Sequence, residues 1–354
     1  MAMIYSETPC HTAGTFTTNV VKAAPVKWDQ DIVHHHDGAQ VVVCNSGIAN
    51  ACTGEEGMGY CRATAEEAAR MLHVPETAVL VASTEDTREA AALAARAIMT
   101  TDTHPKETAV SLELGGKTVT IGSMCKGSGM IHPNMCTMLS FVTTDVKISG
   151  ELLQEALSEV VQDTYNMVSV DGDTSTNDTV LLLANGMAGN PEITEKNEEY
   201  EAFKAALFEV NKIQAMNIAG DGEGATALFE VKVVGAESKE QAVTLSKSII
   251  TSNLTKAAIF GHDANWGRIL CAMGYSGASF DPEKVDLYFE SEAGKLQIIK
   301  DGVATDYSEE EATRILSEKK VTAVADIHMG EAQATAWGCD LTYDYVKINA
   351  DYRS

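Results

Sequence analysis

The sequence predicts an α+β fold, on three observations. Short apolar runs, alternating or continuous, mark strands; longer stretches with apolar residues three and four apart mark helices; and the two kinds follow one another without the regular alternation of a doubly wound sheet. With 354 residues and 45% apolar composition, the chain can bury a sizeable core, as one large domain or two ordinary ones.

The first strand is expected at residues 39–44 (AQVVVC), followed by a polar loop, NSGIANACTG. A helix is expected over residues 55–72, where Ala63, Ala65, Ala68, Ala69, Met71 and Leu72 form an approximate stripe. Residues 79–82 read as a strand and 88–99 as an alanine-rich helix. Val110, Leu112 and Leu114 alternate before Gly115-Gly116, and Val119 and Ile121 alternate after it, the signature of a hairpin.

After a glycine-rich stretch at residues 126–130, Thr137 leads into a strand-like run containing Met138, Leu139, Phe141 and Val142. Ser149 is a suitable N-cap for a helix that puts Leu152, Leu153, Ala156, Leu157, Val160 and Val161 on one face. Further helices are expected at 198–216 and 239–250, with a half-buried strand between them through Phe229, Val231 and Val233. Strands at 285–289, 297–299 and 321–327 complete the pattern. No internal repeat and no proline-rich linker is visible.

A net charge of −25 repels phosphate backbones and anionic lipid, so nucleic acid and membrane surfaces are poor partners. An anionic substrate needs local Lys or Arg. The first twenty residues lack a basic start and apolar run, and no later stretch is long and apolar enough to span a bilayer, so the expected location is the cytoplasm. The eight cysteines show no metal-knuckle spacing, and they are read as reduced, mostly buried thiols.

The stretch richest in possible chemistry is KGSGMIHPNMCTML, residues 126–139. Its glycines allow close backbone approach, Pro133-Asn134 signals a turn, and Thr137 enters an apolar run; by spacing alone it reads as a turn into a strand. GDGEGAT at residues 220–226 lacks the Lys-Ser/Thr end of a phosphate loop. DGDTSTNDT at residues 171–179 fits no metal-ligand template and reads as a capped polar turn. The run His34, His35, His36 and Asp37 reads as an exposed loop with no second ligand pair, and no metal site is expected.

The segments MTTDTHPK, KGSGMIHPNMCTML, VDGDTSTNDTVLLLANG, GDGEGAT, IFGHDANWGRIL and ATAWGCDLTYDYVKINADYRS, in this order from about Ser6 to Ser354, closely resemble the ornithine acetyltransferase (glutamate N-acetyltransferase) family of arginine biosynthesis. The resemblance implies a four-layer α/β/β/α sandwich of the self-cleaving N-terminal-nucleophile type. It implies cutting between Cys136 and Thr137, giving chains 1–136 and 137–354 that stay together, with a dimer of such pairs as the assembly. It makes Thr137 the nucleophile of a ping-pong transfer of acetyl from N-acetylornithine to glutamate.

By the same resemblance Thr84 donates to the oxyanion, and Thr100, Lys126, Thr137, Glu223, Asn349 and Ser354 contact substrate. No cofactor is implied; acetyl-CoA as a second acetyl donor stays open. The chain departs from the family pattern at VLVASTEDTREAA, where Glu85 stands in the place of a glycine and the usual turn and helix before MTTD are missing. It also has Cys136 in place of alanine, and Ile48 in place of asparagine. Two other readings remain: a hydrolase of the N-terminal-nucleophile type, and a non-catalytic protein that keeps only the ligand site.

The residue types suit that chemistry. A threonine hydroxyl can attack the preceding carbonyl, shift the acyl group from nitrogen to oxygen, and leave an ester for water to hydrolyse. The freed α-amine has an ordinary pKa of about 7.7 to 8.0, suited to act as general base for its own hydroxyl.

Overall fold

The computed structural model describes residues 1–46, 48–84, 94–132 and 138–351, with the side chains of Ser46 and Thr84 left aside. The chain divides into two compact units: residues 1–166 with 173–218, and residues 167–172 with 219–354. Each holds one seven-stranded mixed sheet with its own helices, so the α+β class is borne out.

The first unit contains β1 (Ala2–Phe16), α1 (Ala24–His35), β2 (Ala39–Ser46), α2 (Gly54–Leu72), β3 (Val79–Thr84), α3 (Ala94–Ala97), β4 (Lys106–Leu114), β5 (Lys117–Lys126), β6 (Leu139–Thr144) and α4 (Gly150–Gln162). In the second unit β7 (Val168–Ser169) is the first strand; the chain then returns to the first for β8 (Thr179–Ala184) and nearly all of α5 (Glu198–Gly220). The first sheet has the order β3-β2-β1-β8-β6-β5-β4. β6 and β8 run parallel to each other, while β8 pairs antiparallel with β1 and β6 pairs antiparallel with β5. All six residues of β8 are buried, as befits a central strand.

Period-two alternation sorts the side chains of this sheet. Val42 and Cys44 of β2 join Leu80 and Ala82 of β3 in one core cluster, with Phe16, Phe141 and Leu181. Val41, Val43, Val79 and Val81 face the other way, onto Cys61, Ala65, Ala68 and Ala69 of α2. The hairpin forms as read: Leu114 pairs with Lys117, and Gly115 and Gly116 have φ of 55° and 72°. That backbone suits the twist of a two-residue turn. Ser149 caps α4 by accepting from the Leu152 N–H at 3.4 Å, and the six apolar residues expected on its inner face are those that are buried.

The second unit adds β9 (Leu228–Ala236), α6 (Lys239–Thr251), α7 (Asn253–Phe260), α8 (Trp266–Gly274), β10 (Asp286–Ser291), β11 (Gly294–Lys300), β12 (Val303–Ala304), α9 (Glu309–Leu316), β13 (Lys320–Asp326), β14 (Ala332–Cys339) and α10 (Tyr343–Asp351). Its sheet runs β12-β11-β10-β13-β9-β14-β7. β9 and β13 are parallel neighbours, and α6 lies on β9 and β14. Phe229, Val231 and Val233 of β9 are fully buried, with Ala242, Leu245 and Ile249 of α6 also at 0% exposure.

Several elements differ from expectation. β1 and α1 precede the first strand that the sequence signals: β1 mixes Glu7, Pro9 and His11 into its alternation and bulges between Tyr5 and Cys10, which blurs the pattern. His34 and His35 form the last turn of α1 rather than a loop, and the His35 Nδ1 lies 3.0 Å from Asp31. Of the helix expected at 88–99, Ala94–Ala97 is helical; residues 85–93 lie outside the described part. Among the described residues no helix is long and apolar enough to cross a membrane.

α1 is tied to β3 by two contacts, one half-buried and one buried. Trp28 Nε1 donates to the Val79 carbonyl at 3.0 Å, and the Asp29 carboxyl accepts from the Val81 N–H at 2.7 Å. Burial pushes the Asp29 carboxyl well above its ordinary range, against the opposing effect of that hydrogen bond. With the folded-state pKa raised, the Asp29 contribution to stability is whole below the unfolded value of roughly 3.9 and is lost as pH rises through the folded value. Asp29→Asn keeps the acceptor without a charge. As pH rises above the unfolded value the parent chain should therefore lose stability relative to this variant; equal changes in the two urea midpoints would refute it. Ser149→Ala should cost about 1 kcal/mol by removing the cap, read as a lower urea midpoint with an unchanged slope.

Candidate active site

In the first unit two of the expected site residues, Thr100 and Lys126, act on a residue that the motifs did not single out, Asp102. Its carboxylate is enclosed. Oδ1 accepts from Lys106 Nζ at 2.6 Å and from the Gly127 N–H at 2.8 Å; Oδ2 accepts from the Thr100 N–H at 3.0 Å and the Thr100 hydroxyl at 3.3 Å. The side chains of Asp102 and Lys106 are both at 0% exposure. Burial alone would raise the Asp102 pKa, but the charges of Lys126 and Lys106 and the Gly127 and Lys106 hydrogen bonds hold it well below the usual carboxylate range. Gln214 of α5 secures the frame: its Nε2 donates to the Ser123 carbonyl at 3.0 Å and the Lys106 carbonyl at 3.3 Å.

Lys126 ends β5 and pairs with Leu139 at the start of β6. Gly127 follows and packs closely: an added Cβ would lie 3.0 Å from Ile131 and 3.2 Å from the Met138 side chain. Met138, the neighbour of Thr137 in the chain, is thereby fixed against the backbone that Asp102 holds. Asp178, one residue before β8, is buried, and its Oδ2 has no hydrogen-bond partner among the described residues. Burial pushes its carboxyl well above the ordinary range, against hydrogen bonds from Ser175, Thr17 and the Met138 backbone and against the charge of Lys126. Thr84 closes β3 beside Ser46. Cys136 and Thr137 lie outside the described residues, as does Glu85.

In the second unit Glu223 and Asn349 are brought together. Asn349 on α10 donates through Nδ2 to Glu223 Oε2 at 2.7 Å and to the Tyr345 carbonyl at 3.0 Å. The glycine-rich segment that holds Glu223 is a structural turn rather than a phosphate loop. Asp340 accepts from the Thr226 and Ala227 N–H groups at 2.8 and 3.2 Å, and the Thr342 hydroxyl donates to the Gly224 carbonyl at 2.8 Å. Ser354 lies outside the described residues.

Cys10, Cys44, Cys61, Cys125 and Cys339 are buried, while Cys52 and Cys271 are exposed. Burial pushes the Cys44 and Cys61 thiols up to about 12, which removes them as thiolate nucleophiles near neutral pH. Among the described residues no group of three His, Cys, Asp or Glu side chains could hold a metal ion.

Asp102 and Lys106 both stand in the MTTDTHPK segment, four residues apart. A signal was present, an acid and a base at close spacing before a strand, but nothing in the spacing says that the pair is buried.

Comparison with known proteins identifies the class. The profile described as the ArgJ family matches residues 1–354. The chain is 48% identical to the arginine biosynthesis bifunctional protein ArgJ of Thermotoga neapolitana, over all of this chain and 94% of that one. It is 51% identical to the protein of the same name from Symbiobacterium thermophilum, over all of this chain and 92% of that one. A crystal structure of the Bacillus halodurans arginine biosynthesis bifunctional protein argJ matches with a TM-score of 0.58 and 47% identity, covering 61% of this chain and 100% of that one. The chain belongs to the ArgJ family, and its enzyme class is that of an acetyltransferase of arginine biosynthesis. Both alignments to curated relatives run over 375 positions against 354 residues, so the relatives carry residues with no counterpart here.

Gly224 has a φ of 70°, and an added Cβ would lie 2.7 Å from the Tyr345 backbone nitrogen. Gly224→Ala should destabilise the protein by about 1 kcal/mol or more and speed amide hydrogen exchange along α10. Unchanged exchange in α10 would show that the turn does not seat this helix.

Proposed function

We propose that the chain cuts itself between Cys136 and Thr137, and that Thr137 then carries acetyl from N2-acetyl-L-ornithine to L-glutamate. The observation that carries this reading is the position of the assigned bond. It lies in the segment joining β5 to β6, between Lys126 and Gly127, tied to Asp102, and Met138, buried beside Gly127.

Cutting there is compatible with one lasting fold. β6 and β8 would belong to the C-terminal chain, yet they sit between β1 and β5 of the N-terminal chain and are hydrogen-bonded to both. The two chains are thus held by one sheet. The solved relative gives further support: all of that chain matches 61% of this one, a share like that of the 218 residues from Thr137 to Ser354. A dimer of cut pairs and acetyl-CoA as a second acetyl donor belong to the same proposal.

In the proposed cycle the Thr137 amine takes the proton of its own hydroxyl, and the oxygen attacks the acetyl carbonyl. Ornithine leaves with that proton on its nitrogen; the amine of glutamate then attacks the ester carbonyl, giving N-acetylglutamate, and its proton returns to the Thr137 oxygen. Lys126 binds a substrate carboxylate and Glu223 an ammonium group; Asn349 and Ser354 hold the amino-acid end, and Thr100 also contacts substrate. Thr84 donates to the oxyanion. A carboxylate at Glu85 opposes that negative charge, and loss of one oxyanion donor costs about 100 to 1,000-fold in rate.

Intact-mass spectrometry before and after incubation with N-acetylornithine tests the proposal. Two fragments meeting at Cys136-Thr137, with one acetyl group added to the larger, are expected; a single unmodified chain overturns it. Thr137→Ala should leave the chain whole. Glu85→Gly should raise the rate of transfer to glutamate, and an unchanged or lower rate removes Glu85 as a brake.

A further inference from the structure

We infer that Asp102 is a positioning residue that fixes the direction of the Thr100 hydroxyl, so that Thr100 meets substrate only as a hydrogen-bond acceptor and takes a hydrogen carried by the substrate's α-nitrogen. The inference rests on the proposed acetyl transfer and adds to it the polarity of one contact.

The argument is one of saturation. An ionised carboxylate offers two oxygens with about four acceptor sites and no donor. At Asp102 four donors fill them: Lys106 Nζ and the Gly127 N–H on Oδ1, the Thr100 N–H and hydroxyl on Oδ2. The Lys106 ammonium at 2.6 Å, in a pair with no exposed side-chain surface, keeps the carboxylate ionised. The hydrogen between Thr100 Oγ1 and Asp102 Oδ2 therefore belongs to Thr100. A threonine hydroxyl has one hydrogen and two lone pairs. With the hydrogen spent on Asp102, the half-buried Thr100 presents lone pairs alone.

This polarity suits both halves of the proposed reaction. The nitrogen that leaves N-acetylornithine and the nitrogen of glutamate that attacks the acetyl ester are chemically the same group, the α-nitrogen of an amino acid. In the amide it carries one hydrogen, and in the free amine more. A fixed acceptor serves it in every state, whereas a freely rotating hydroxyl could donate into the lone pair that must attack. Because the same carboxylate also holds the Gly127 N–H, the acceptor is set in one frame with the backbone that packs on Met138, next to Thr137.

The test compares N2-acetyl-L-ornithine with its ester analogue, in which oxygen replaces the amide N–H. The ester's greater intrinsic reactivity cancels when enzyme variants are compared with one another. Thr100→Val should lower kcat/KM for the amide on the order of tenfold more than for the ester, and Thr100→Ser should restore the parent preference. Asp102→Asn should show the same selective loss, with no further selectivity lost when it is combined with Thr100→Val. Equal losses for amide and ester, or full additivity in the double variant, overturn the inference.

Should Asp102→Asn fail to fold with Lys106 left unpaired, neutron diffraction of the deuterium-exchanged parent protein decides: a deuteron on Thr100 Oγ1 aimed at Asp102 Oδ2 supports the inference, and one aimed elsewhere overturns it. A parent protein that forms no acetyl-enzyme defeats the proposed transfer instead, a result separable from an amide preference that Thr100 does not control.

Discussion

The first unit depends on the insertion of β6 and β8 into the middle of its sheet. β8 is buried along its whole length, its parallel partner β6 is nearly so, and each bonds on its other side to a strand from early in the chain. Closing the β1–β8 ladder joins residues more than a hundred positions apart, and the conformational entropy of the intervening chain must be offset by apolar burial in the sheet. β5 and β6, on either side of the assigned bond in sequence, are both held in the sheet by ladders.

Charge is managed by enclosure. In a chain with a net charge of −25, an anionic substrate can be bound only where a cation is held locally. Lys106 is spent on Asp102, and Lys126 stands at the end of β5 with its charge acting on both Asp102 and Asp178. The two carboxyls differ in state for a clear reason. Asp102 has an ammonium partner and donors on both oxygens; Asp178 has burial without a comparable partner, and its pKa goes up rather than down. In the second unit, Asp340 accepts from two backbone N–H groups and the Thr226 hydroxyl, while Glu223 receives a side-chain amide.

Both curated relatives align over more positions than this chain has residues. β3 runs in register with β2 as far as Thr84, and Ala95, Ala97 and Ile98 are buried.

Much of the fold was legible in the residues. Periodicity located the hairpin at Gly115-Gly116, the six buried positions of α4, the strand β9 and the long helix α5, and short apolar runs marked β2 and β3. It did not locate β1, whose alternation is broken by a bulge and by polar residues on its exposed side, nor β8, whose continuous apolar run has no period. The nucleophile assignment came from ordered motifs, since a threonine before an apolar run has no local mark of reactivity. Sequence by itself determined the class and the family. Only the tertiary structure decided that Asp102 and Lys106 are buried together beneath Thr100 and Gly127, because burial and hydrogen-bond saturation are set by chain segments far apart in sequence, and spacing along the chain does not encode them.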